Sequence, residues 1–243
     1  MIRNLTKNNI FFHKVYKSLK NNVFLYKLNL IFKDQQNLLV DTNTDICING
    51  YPRSGNTFLT VLLDRLTEDY FKIAHHTHTL ANFKLANKYN TPTIILIRNP
   101  LDSVASFMVR KHDQDIQILL QDYINFYNYV DNKLNKDNFL IVSFETLTSD
   151  LEFLLNYISN QFNILLDIED YYSNIEELEK DIFNIIKNNT SKWENKKNGD
   201  EIEKGIAIPS SKKEDKKREY KNIIQSMDLY DQAYRIYNDL YKI

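Results

Sequence analysis

Three short runs, "DICING" (45–50), "TPTIILI" (91–97) and "NFLIVSF" (138–144), set the architecture of this chain. Each is apolar or β-branched nearly throughout and bounded by polar residues. That is the pattern of a strand covered on both faces, as in a parallel sheet. Helical spacing fills the gaps between them. "TFLTVLLDRL" places Phe58, Val61, Leu62 and Leu66 on one face, and "PLDSVASFMVRKH" opens with Pro100 at a first helical position and Asp102 in the first turn. "DIQILLQDYINFYNYVDNKL" and "TLTSDLEFLLNYISNQF" read as longer amphipathic helices. Strands alternating with helices predict an α/β fold of three layers, a mostly parallel central sheet flanked by helices.

The 243 residues suffice for one sizeable core, so 1–243 is read as a single domain. Residues 1–44 form an N-terminal helical segment expected to pack on it, and the polar, aperiodic stretch 187–205 reads as an exposed loop. The tyrosines of the last helical stretch, 217–243, read as a packed stripe. No run approaches the ~20 apolar residues of a membrane span, and no signal-like start is visible, so a cytoplasmic location is expected. The lone Cys47 lies in a strand-like run and reads as a small core residue. A net charge of −1 argues against nucleic acid as a partner; any anion site must be a local cluster of positive groups.

Such a cluster is offered by "INGYPRSGNTFLTVLLDRL" (48–66), a strand end, a tight loop and a helix start. Gly50, four residues, then Gly55-Asn56-Thr57 fits the GxxxxGx[ST] outline of a phosphate-binding loop. A helix beginning there aims free N–H groups and the positive end of its dipole at an anion. Nucleotide hydrolases add a Lys after the second Gly; here that position is Asn56, and the cation is Arg53 inside the loop. Those hydrolases also carry an Asp at a neighbouring strand end to hold magnesium. Here the strand "TIILI" ends in Arg98-Asn99-Pro100. The pattern describes an anion site built from arginines and amides, without a metal.

"YPRSGNTFL" resembles the 5′-phosphosulfate loop, PKSGTTW, of the sulfotransferases that use 3′-phosphoadenosine 5′-phosphosulfate (PAPS). Pro52, Ser54, Gly55 and Thr57 are unchanged, while Arg53 stands for the Lys, Asn56 for the first Thr and Phe58 for the Trp. "IRNPLDSVASFMVR" is similar to the family's 3′-phosphate segment, with Arg98, Asn99, Pro100, Asp102 and Ser106 in register. "SFETLTSD" (143–150) resembles its YEDLxxDP element, with Phe144 for the Tyr. The likeness covers about residues 45–165.

The resemblance implies that Arg53, Ser54, Gly55, Asn56 and Thr57 hold the 5′-phosphosulfate, and that Arg98 and Ser106 hold the 3′-phosphate. It places Phe58 and Phe144 against the nucleotide and makes Arg53 a stabiliser of the leaving phosphate. In "KIAHHTHTLANF" it makes His78 the general base, with His76 or His75 as substitutes. Its C-terminal basic element has a counterpart in "IPSSKKEDKKREY" (208–220), where Ser210, Lys212 or Lys213 would close over the nucleotide. The partners implied are PAPS and an acceptor with a free hydroxyl or amine. Two other readings stay open, a P-loop kinase or hydrolase with unrecognised cation and metal ligands, and a non-catalytic nucleotide-binding relative. The acceptor's identity and the oligomeric state are open too.

Overall fold

The computed structural model describes residues 9–133, 138–173, 180–182, 184–185 and 211–241. Its centre is a four-stranded sheet in which every pairing is parallel, in the order β2-β1-β3-β4. The strands are β1 (Ile46–Gly50), β2 (Ile73–His75), β3 (Thr93–Ile97) and β4 (Phe139–Ser143). Strands β1, β3 and β4 fall inside the three apolar runs. The edge strand β2 was not expected as a strand; it is short and ends in histidines, so it lacks the apolar pattern.

In chain order the main helices are α1 (Ile10–Asn21), α2 (Val23–Ile31), α3 (Asn56–Leu66), α4 (Leu80–Tyr89), α5 (Pro100–Arg110) and α6 (Ile116–Lys133). They are followed by α7 (Phe144–Ser149), α8 (Leu151–Phe162), α9 (Ile168–Ser173), α10 (Ser211–Gln225) and α11 (Asp228–Tyr241). Successive strand side chains point to opposite faces. Accordingly Ile46, Ile48, Ile94, Leu96 and Val142 pack with α3 and α8 on one side. Ile95 and Ile97 pack with α5, α6 and α11 on the other. On that second side Cys47 and Ala74 meet α4 and, beyond it, Tyr26 and Leu30 of α2. Cys47 is fully buried, as expected for a core residue.

Local chemistry sets the helix limits. Asn99 caps α5, its Oδ1 accepting from Leu101 N at 2.9 Å, and Pro100 follows at the first helical position. "TLTSDLEFLLNYISNQF", expected as one helix, is two: Asp150 leaves helical geometry at φ −145° and its carboxylate caps α8. An Asp that can satisfy free N–H groups competes well with helix continuation. Within the N-terminal segment Ile10–Asn21 and Val23–Ile31 are helical, and α1 buries none of its residues. The 187–205 loop lies outside the described residues.

Chain direction creates one special place. β1 runs into α3 on one face of the sheet, and its neighbour β3 runs into α5 on the other. The crevice outside the carboxyl ends of two such strands is where open α/β sheets bind ligands. Close approach of the two strands there depends on Gly50, paired with Leu96; a Cβ on Gly50 would drive into the Leu96 carbonyl oxygen. Gly50→Ala is expected to cost about 3 kcal/mol, measured as a lower urea midpoint at unchanged slope.

Candidate functional site

The crevice is built by three chain exits. Leaving β1, the chain turns sharply at Arg53, φ 73°, and Gly55, φ 94°. A Cβ on Gly55 would meet the Leu147 side chain at 2.5 Å, so this position excludes side chains by space as well as by dihedral. Arg53 Nε donates to Ser106 Oγ of α5 at 2.9 Å. Leaving β3, Arg98 donates from Nη1 to the Arg53 carbonyl oxygen at 3.0 Å. Leaving β4, Phe144 lies under Arg98, with the guanidinium carbon 3.8 Å from the ring centre. Arg53, Arg98, Ser106 and Phe144, distant in sequence, thus touch in one chain of contacts.

The remaining loop residues have distinct surroundings. Gly55 stands at the cap position of α3 with no side-chain cap, leaving first-turn N–H groups without one. Asn56, buried, donates from Nδ2 to the Tyr51 carbonyl at 3.2 Å and closes the loop on itself, while its Oδ1 has no partner among the described residues. Ser54 is fully buried beneath the loop. Thr57 Oγ1 bonds His76 Nε2 at 2.8 Å. Phe58 is half-buried and packs against the core on the α3 side of the sheet.

The crevice is electrostatically positive. Burial, then repulsion from Arg110 and Arg98, pushes the Arg53 guanidinium down to about 10. Burial also lowers Arg98 and Arg110. Asp102, one turn before Ser106, is held by α10: its Oδ1 lies 2.7 Å from Lys221 Nζ and 3.5 Å from Lys217 Nζ. A concentration of half-buried arginines raises the affinity for an anion. Arg110, two turns beyond Asp102 on α5, was not singled out in the sequence; its spacing from Asp102 and Ser106 could have shown that it shares their face.

Beside the arginines lies a histidine corner. The chain is extended only to His75; His76 and His78 turn back at φ 57° and 48°, so they do not share a face as an extended segment would place them. Instead the turns stack their rings, edge to face, with centroids 6.1 Å apart. Left-handed backbone at non-glycine residues costs energy and tends to cluster where function requires a geometry. His75 and His76 set Nδ1 against Nδ1 at 2.5 Å. His78 Nδ1 faces the Gly50 carbonyl at 2.8 Å. A carbonyl only accepts, so Nδ1 carries the proton and Nε2 keeps its lone pair.

Burial holds His75 and His78 down to about 4, and burial, then His75, His78 and Arg110, pushes His76 well below its usual range. All three are therefore neutral near pH 7. Because the folded values lie below the unfolded 6.5, the unfolded chain binds more protons as pH falls. Stability present above about pH 6.5 is lost as pH falls towards 4. That loss is expected to be on the order of 3 kcal/mol for each of His75 and His78. Urea unfolding at a series of pH values checks it, and His75→Asn/His78→Asn should flatten the profile.

Buried polar side chains fix these parts. Asn49, fully buried in β1, accepts at Oδ1 from His78 N and Gly50 N, both at 3.2 Å, and donates from Nδ2 to Thr79 O at 3.1 Å. Tyr127 of α6 donates its hydroxyl to Leu96 O at 2.7 Å and accepts from Tyr51 N at 3.2 Å. Tyr123 donates to Arg98 O at 2.8 Å. None of these was singled out. A lone Asn inside "ICING" was the available signal, since a buried amide must find partners.

Ser210 lies outside the described residues, and of Lys212 and Lys213 only the helical backbone opening α10 is described. Among the described side chains of α10, Lys217 and Lys221 reach Asp102 at the site's edge. Among the described residues no group of three or more His, Cys, Asp or Glu is placed to hold a metal. Compared with protein-family models, curated proteins and solved structures, the chain shows no match.

Proposed function

We propose that this chain is a sulfotransferase moving a sulfuryl group from PAPS to an acceptor hydroxyl or amine. What carries the reading is the link Arg98–Arg53–Ser106 at the switch between β1 and β3. These are the groups the motif likeness assigns to opposite ends of one nucleotide, and they occupy one positive crevice. The donor set suits a doubly phosphorylated ligand: two guanidiniums, a hydroxyl and the uncapped amides of α3. The loop 51–55 then serves as the phosphosulfate-binding loop. PAPS supplies the activated sulfuryl group and a phosphate leaving group.

In this reading Arg53 and the first amides of α3 hold the 5′-phosphosulfate, and Arg98 with Ser106 holds the 3′-phosphate. Phe144 keeps the Arg98 guanidinium flat and its edges available. His78 takes the acceptor's proton at Nε2 as the acceptor atom bonds to sulfur. The sulfur–oxygen bond to the nucleotide phosphate breaks in the same event, and the negative charge left on that phosphate falls beside Arg53. A fixed donor in a half-buried site stabilises such charge more than water does.

Calorimetry with adenosine 3′,5′-bisphosphate and with ATP, each with and without magnesium, tests the reading. Metal-independent bisphosphate binding supports it, and ATP binding that requires magnesium favours a P-loop kinase or hydrolase instead. Arg53→Ala is expected to lower both bisphosphate affinity and turnover, the latter by about 10²–10³-fold. A loss confined to affinity would remove Arg53 from the chemical step.

A further inference from the structure

The helix α1 faces the wrong way for a globular surface, and α2, which buries Tyr26 and Leu30, still exposes large apolar side chains on its other side. The side of α1 laid on the protein is polar: His13 and Lys17 both reach Asp122 of α6, at 2.9 and 2.8 Å. Further along, Asn21 Oδ1 accepts from Leu80 N at 3.0 Å and its carbonyl from Lys84 Nζ at 2.7 Å. The outward side is apolar. Phe11 is 69% exposed and Leu19 50%, with Phe12 and Val15 between them; on α2 and just after it Phe24 is 69% and Phe32 86% exposed. Single exposed apolar residues need no explanation, but this many on two successive helices, with α1 inverted, do.

The charge around the stripe says what covers it. From residue 9 to residue 33 the chain carries Lys14, Lys17, Lys20, Lys27 and Lys33 and no Asp or Glu, in a chain whose net charge is −1. Lys14, Lys27 and Lys33 are exposed. A second copy docked symmetrically would oppose these lysines to themselves. Apolar side chains flanked by lysines match an interface of acyl chains and anionic headgroups. No described helix is long and apolar enough to cross a membrane, so the geometry is that of helices lying in the surface.

We infer that the α1–α2 pair docks this protein on an anionic lipid surface, the aromatic and aliphatic stripe entering the headgroup boundary and the lysines meeting lipid phosphates and carboxylates. The inference does not depend on the proposed reaction, and its test reads no activity.

The full-length protein is floated with vesicles of phosphatidylcholine alone and of phosphatidylcholine mixed with phosphatidylserine, at low and high salt. Wild type is expected on the phosphatidylserine vesicles at low salt and to be released by high salt. Phe11→Ser/Phe24→Ser/Phe32→Ser should stay with the soluble fraction. Lys14→Glu/Lys27→Glu/Lys33→Glu should bind about 100-fold more weakly, at about fivefold per lysine. The substituted side chains are exposed, and matching thermal unfolding of the variants shows that the fold is kept; should the Phe variant not fold, the Lys variant and the salt series decide. No flotation of wild type, or equal flotation on both vesicle types, overturns the inference. So does a solution dimer that the Phe substitutions convert to monomer, which would assign the stripe to a second copy.

Discussion

Arg98→Ala is expected to weaken binding of adenosine 3′,5′-bisphosphate by about 100-fold, or about 3 kcal/mol. The size follows from what the side chain does at once. In the proposed reading it presents charge to a phosphate in a half-buried crevice, where screening by water is reduced. It also lies on the Phe144 ring and bonds the Arg53 carbonyl at 3.0 Å, a carbonyl held in place at a left-handed residue. Alanine removes the charge and unfastens the loop that aims Arg53. Arg98→Lys separates the two losses: it keeps a charge but can neither lie flat on an aromatic ring nor fork to two acceptors. About tenfold weaker binding is expected for Lys. Calorimetry reads both, and affinity unchanged in the Ala variant would remove the anion site from this crevice.

His78→Asn is expected to lower turnover by about 10²–10⁴-fold while leaving bisphosphate affinity within about twofold, since His78 is not among the groups assigned to phosphate. Asn is the informative replacement because it tolerates the φ of 48° that His78 adopts, so the backbone keeps its path. Its amide can still donate to Gly50 O but has no ring nitrogen to take a proton. The measurement is PAPS turnover, with a hydroxyl acceptor or by slow hydrolysis. Turnover retained in His78→Asn and lost in His76→Asn would transfer the base to His76, which reaches Thr57 in the loop itself. Turnover retained in both would remove the histidines from the chemical step, and no turnover in wild type would leave a binding protein.

What the sequence disclosed and what it hid divide along physical lines. β1 and β3 are buried along their whole length and β4 at its end, so the hydrophobic effect wrote them as apolar runs; β2 is only three residues and ends in a histidine, too short to write a pattern. Arg53, Arg98 and Ser106 were legible because short motifs tie each to a strand exit, and strand order then brings them together. Asn49, Tyr123 and Tyr127 were hidden because their work is done across long sequence separations, by hydroxyl and amide groups that look like ordinary residues of a strand or an amphipathic helix. The inversion of α1 was hidden for a related reason. Spacing shows that a helix has two faces but not which one meets the protein, and Asp122 on α6 decided that.

The phenol of Tyr127 lies between the ends of β1 and β3, and that of Tyr123 pins the first residue beyond β3. One helix therefore grips both exits from beneath. Neither loop can swing out alone without stranding a buried hydroxyl or carbonyl, so on the proposed reading the crevice is already in its receptive shape before the nucleotide arrives. Association should then follow a single step whose observed rate climbs in proportion to ligand concentration, with no plateau set by a slow opening.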